Sequence, residues 1–90
     1  MIIFCIHGAG LSAASFSLLA DNVKDFASLA AYDMRGHGFS KNQEEFLNYQ
    51  LSTLSSEAGE VLLWLSQNYK QSTFVLLGHS LGGAIAALLS

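Results

Sequence analysis

The sequence predicts an α/β fold built on a parallel sheet, on three observations. Apolar runs of strand length at 2–6, 28–32 and 74–77 alternate with stretches whose apolar residues recur at helical spacing. The resulting order, β-α-β-α-β-α, calls for right-handed crossovers with helices on the faces of the sheet. The composition agrees: 51% of the residues are hydrophobic and only 12% are charged, against about 25% charged in ordinary domains. Strands buried on both faces read as such near-continuous apolar runs.

Taken in order, Ile2 to Ile6 forms the first strand and runs straight into His7-Gly8-Ala9-Gly10. Phe16, Leu19, Ala20 and Val23 follow at i, i+3, i+4 and i+7, one face of a helix for which Ser15 is the expected cap. Ser28 to Tyr32 gives the second strand, ending at Asp33, and the glycines of Arg35-Gly36-His37-Gly38-Phe39-Ser40 predict a loop. Lys41 to Gln50 is the most polar stretch and reads as solvated surface. From Ser52, the expected N-cap, Leu54, Ala58, Val61, Leu62, Leu65 and Tyr69 keep helical spacing as far as Asn68 or Lys70. Phe74 to Leu77 is the third strand, and the apolar run Ala84 to Leu89 is the helix that follows it. The chain opens on a strand and stops inside a helix at Ser90, so residues 1–90 are expected to be the N-terminal part of one larger domain.

Chemistry concentrates at the carboxyl ends of the three strands, the edge on which parallel sheets bind ligands. His7, Asp33 and Ser80 all fall there. Gly78-His79-Ser80-Leu81-Gly82-Gly83 is a G-x-S-x-G pattern between a strand and a helix, the context that gives the pattern meaning. A turn this sharp projects the Ser80 hydroxyl into open space and leaves no room for a Cβ at Gly78 or Gly82. Ser80 then stands at a helix N-terminus, where backbone N–H groups favour developing negative charge. This makes Ser80 the nucleophile candidate and the N–H of Leu81 an oxyanion donor. In serine hydrolases of this architecture the second donor comes from the loop after an early strand, which assigns it to the N–H of Ala9.

One rival motif shares these residues. Gly8-x-Gly10-x-x-Ala13 follows a strand and opens a helix, with Asp33 about 20 residues further on, as in a dinucleotide-binding fingerprint. That reading gives no work to His7, to the Arg35 loop or to the glycines around Ser80. No cofactor is therefore expected, and His7, His37 and Cys5 have no recognised metal-ligand spacing. A net charge of −3 without a basic cluster argues against nucleic acid. The run after Met1 is too short to span a membrane, and the single Cys5 offers no disulfide framework.

With its three motifs in this order, the chain resembles the α/β-hydrolase superfamily over essentially its whole length, from that fold's third strand to its nucleophile helix. It is most similar there to the protein phosphatase methylesterases, through His7 to Phe16, the Leu51-Ser52 start of the second helix with Glu57, Ala58, Gly59 and Val61, and Gly78 to Ala86. Those proteins often carry Met where this chain has Leu81, a swap of similar volume that keeps the backbone N–H. The resemblance implies a serine carboxylic-ester hydrolase acting on the methyl-esterified C-terminal tail of a type 2A phosphatase catalytic subunit. Ser80 would form an acyl-enzyme that water releases. It implies a cytoplasmic protein with the nucleus as a second compartment. It also places the catalytic Asp and His after Ser80 in the chain, beyond residue 90, so Asp33, Arg35 and His37 read as braces of the site and His79 as pointing away from Ser80. Without those partners the 90 residues alone are expected to be nearly inert. A generic esterase or lipase, and a non-catalytic hydrolase fragment, are the alternatives.

Overall fold

The computed structural model describes residues 1–8, 10–34 and 51–90. Strand β1 (Ile2–Ile6) lies in the middle of a three-stranded sheet, between β2 (Ser28–Ala31) and β3 (Phe74–Gly78). Both neighbours run parallel to it, with Ile2 opposite Ser28 on one side and Phe74 on the other. The central position explains why the first strand shows no apolar–polar alternation: Ile2, Phe4, Cys5 and Ile6 are all buried. At the edge, β3 alternates, with Phe74 and Leu76 half-buried and Val75 and Leu77 exposed.

The two crossovers lie on opposite faces, as strands laid down to either side of β1 with one hand of connection require. On one face α2 (Leu51–Asn68) and α3 (Leu81–Leu89) pack Leu54, Ala58, Leu65 and Ile85 against Phe4 and Ile6, with Met34 completing the cluster. Phe4, Ile6 and Ile85 have no solvent-accessible surface, and such burial stabilises by about 1.5–3 kcal/mol per side chain. On the other face α1 (Ser17–Val23) follows a 3₁₀ turn over Ala13–Phe16. Its predicted inner residues Phe16, Leu19, Ala20 and Val23 are buried or half-buried, while Leu18, Asp21 and Asn22 are exposed.

Three boundaries differ from the sequence expectation, each for a local reason. Helical structure begins at Ala13 instead of after Ser15, because the Asp33 carboxylate accepts the N–H of Ala13 at 2.7 Å and starts the turn there. Ser15 instead accepts the N–H of Ser12 with its hydroxyl, at 3.4 Å. Leu51 is already helical, so Ser52 lies inside the first turn of α2 and is not its cap. Strand β2 ends at Ala31, paired with Cys5, and Tyr32 leaves the ladder to stack its ring on Phe4 at 5.9 Å between centroids. The predicted loop at 35–40 and polar stretch at 41–50 lie outside the described residues. No described helix is long and apolar enough to cross a membrane.

Tyr32 has a further consequence. Its hydroxyl is buried without a hydrogen-bond partner among the described residues, and burial, followed by the negative charge of Glu57, pushes its pKa up to about 12. The folded state therefore holds the phenol proton that the unfolded chain releases near pH 10. The stability linked to that proton is complete below about pH 10 and is lost as pH rises towards about 12. Tyr32→Phe in the intact protein is expected to keep or raise stability, by up to about 1 kcal/mol, and to flatten the loss between pH 9 and 11 (about one unit either side of the phenol's ordinary pKa). Urea melts at those two pH values check both effects. A clear loss of stability at neutral pH would show that the hydroxyl has a partner.

Candidate active site

The site is assembled where the three strands end. At the end of β3 the chain reverses into α3 through His79 and Ser80. Ser80 takes φ 57° and ψ −117°, and it is the sole non-glycine residue with positive φ among those described. An L-residue held there costs about 1–3 kcal/mol and persists only where its surroundings over-determine it. Those surroundings are backbone. His79 donates its N–H to the carbonyl of Ile6 at 3.1 Å, extending the β1–β3 ladder to the threshold of the turn. The N–H groups of Gly82 and Gly83 close on the carbonyls of His79 and Ser80, both at 2.9 Å, which locks the first turn of α3.

Glycine is obligatory at two points of this turn. A Cβ on Gly82 would overlap the Ile6 carbonyl oxygen, and it would lie 2.6 Å from the Ile6 carbonyl carbon and 2.7 Å from the His7 oxygen. A Cβ on Gly78 would overlap the carbonyl of Gly82. All these atoms belong to the main chain, so no side chain can swing aside. The backbone of α3 therefore rests directly on the end of β1, and Ser80 is held at its N-cap, exposed to solvent. The N–H of Leu81 is taken by no backbone carbonyl among the described residues.

The loop after β1 closes against this turn. Gly8 is so near it that a Cβ there would stand 3.0 Å from His79 Nδ1 and 3.3 Å from Ser80 Cβ. Gly8 and Leu11 close a tight turn through a 3.1 Å bond from the Leu11 N–H to the Gly8 carbonyl, and Gly10 at its third position has φ 81°. A turn of that shape favours glycine there. Ala9, the expected second oxyanion donor, lies outside the described residues, as do Arg35 and His37.

His7 has no exposed surface. Its Nε2 accepts the N–H of Met34 at 2.9 Å and its Nδ1 lies 2.8 Å from the carbonyl of Gly8. Since Nε2 is an acceptor, the ring proton is on Nδ1, which donates to Gly8. Both ring nitrogens are thereby engaged in joining the loop after β1 to the loop after β2. The sequence reading missed this bridge; a polar residue directly behind a buried strand and ahead of a glycine was the available signal. Asp33 fills the brace role expected of it, on the N–H of Ala13. That carboxylate stands at the helix start where a dinucleotide pyrophosphate would have to sit, which counts against the rival fingerprint. A groove of about 400 Å³ between α1 and β3 is lined by Phe16, Leu19, Leu77 and His79. Ser80 does not contribute to its walls. Burial raises the pKa of the Cys5 thiol, so Cys5 is a packed side chain and not a competing nucleophile.

Comparisons with known proteins agree with this geometry. A family described as alpha/beta hydrolase fold matches residues 2–90. Protein phosphatase methylesterase 1 of Candida albicans is 40% identical over 90 residues, covering 99% of this chain and 24% of that protein. The protein of the same name from Kluyveromyces lactis is 34% identical, over 92% of this chain and 24% of its own length. Human serine hydrolase-like protein is 33% identical over 96% of this chain and 40% of its own. The chain thus spans about a quarter of the length of the methylesterases it matches. Among solved structures, the RedJ thioesterase of the prodiginine biosynthetic pathway in Streptomyces coelicolor superposes with a TM-score of 0.77 over 98% of this chain and 31% of that one. At 17% identity that likeness concerns the fold alone.

The contacts at Gly82 and Gly83 separate cleanly. Gly82→Ala is expected to abolish the soluble folded protein, because its Cβ meets the main chain of β1. Gly83→Ala meets nothing closer than the Gly78 oxygen at 3.5 Å and should hold or gain stability, by up to about 1 kcal/mol from helix propensity. Soluble yield and thermal melts of the two variants in the intact protein check this. Equal tolerance of both would refute the close approach of α3 to β1.

Proposed function

The chain belongs to the α/β-hydrolase fold family, and from that premise we propose that its protein is a serine ester hydrolase with Ser80 as the nucleophile. The observation that carries the reading is the backbone of Ser80, held at positive φ between β3 and α3 by main-chain contacts on both sides. Strain of this kind persists where it serves a function, and here it presents a hydroxyl at the tip of a helix. Attack of Ser80 Oγ on an ester carbonyl gives a tetrahedral oxyanion. The N–H groups of Leu81 and Ala9 are proposed to receive it, Leu81 from the start of α3 and Ala9 from the loop that Gly8 brings against the turn. Collapse of the intermediate expels the alcohol and leaves an acyl-enzyme, and water then releases the acid.

Neither His7, with both ring nitrogens bonded, nor Asp33, bonded to Ala13, is placed to take the Ser80 proton. In keeping with the resemblance, and with a chain that spans about a quarter of the methylesterases it matches, the proposal assigns the general base and its orienting acid to residues after Ser90, with residues 1–90 as the N-terminal part of one hydrolase domain. The narrower substrate is the methyl ester at the C-terminus of a type 2A phosphatase catalytic subunit. It is supported by the names of the relatives and by the 34–40% identity to them.

The intact protein is expected to be labelled by a fluorophosphonate at Ser80, identified by peptide mapping, and to hydrolyse a methyl-esterified C-terminal peptide. Ser80→Ala should abolish labelling and reduce kcat by about 10³-fold or more. Labelling at another residue would overturn the nucleophile assignment. Turnover of simple esters without turnover of the peptide would overturn only the substrate.

A further inference from the structure

We draw no further inference here: the strongest candidate, the groove between α1 and β3 that Phe16, Leu19, Leu77 and His79 line, carries nothing because no group among the described residues shows what covers it.

Discussion

The backbone of α3 lies on the backbone of β1 with no side chain between them, and the geometry of the site depends on this contact. Gly82 meets the carbonyls of Ile6 and His7, and Gly78 meets Gly82 in turn. Removing two Cβ atoms brings helix and strand together more closely than side-chain packing ever allows. The chain can then reverse within two residues. The residue at the apex, Ser80, takes up the angular mismatch as a positive φ. The strain at Ser80 is thus the geometric result of a helix placed by its glycines, and the packing of Ile85 into the core cluster is what holds the helix down.

A second layer of order comes from polar groups at the ends of the strands. Beyond the last ladder pair a backbone N–H must find another acceptor or be left unsatisfied at a cost of about 1–3 kcal/mol. Here side chains supply the acceptors: His7 for Met34 and the Asp33 carboxylate for Ala13. Each bond joins two strand-end segments far apart in sequence, and together they join the loop after β1, the start of the first helical turn and the chain leaving β2. Loops that have to carry chemistry need such ties, because their own backbones offer few internal hydrogen bonds.

The legibility of these features in the sequence followed their range. Strand β1 and the tight turn at Ser80 could be read because an apolar run, a glycine pattern and a following helix are local signals. The face of α1 was legible for the same reason, from Phe16 to Val23. Helix starts were less so. Ser15 and Ser52 look like caps by type, but Asp33, from another strand, sets the first start, and Leu51 is already helical in the second. The exit of Tyr32 from β2 goes with its stacking on Phe4, a contact that no window of neighbouring residues contains. His7 was recognised as out of place in a cofactor loop, but its two partners are supplied by the fold.

The same contrast of range bears on how the chemistry is divided. Presenting a nucleophile and holding an oxyanion are tasks of backbone geometry, and a strand, a tight turn and a helix close in sequence can perform them. Activating Ser80 as the proposed nucleophile would require a titratable side chain with a free nitrogen or oxygen within hydrogen-bond reach of it. Two described groups at these strand ends are already engaged in structure: His7 is held at both ring nitrogens, and Asp33 is bound at the helix start. Releasing either for catalysis would loosen the loops that define the site. A base delivered from a separate segment avoids that conflict, since it can approach the exposed hydroxyl from the open side while the bonds behind the turn remain intact.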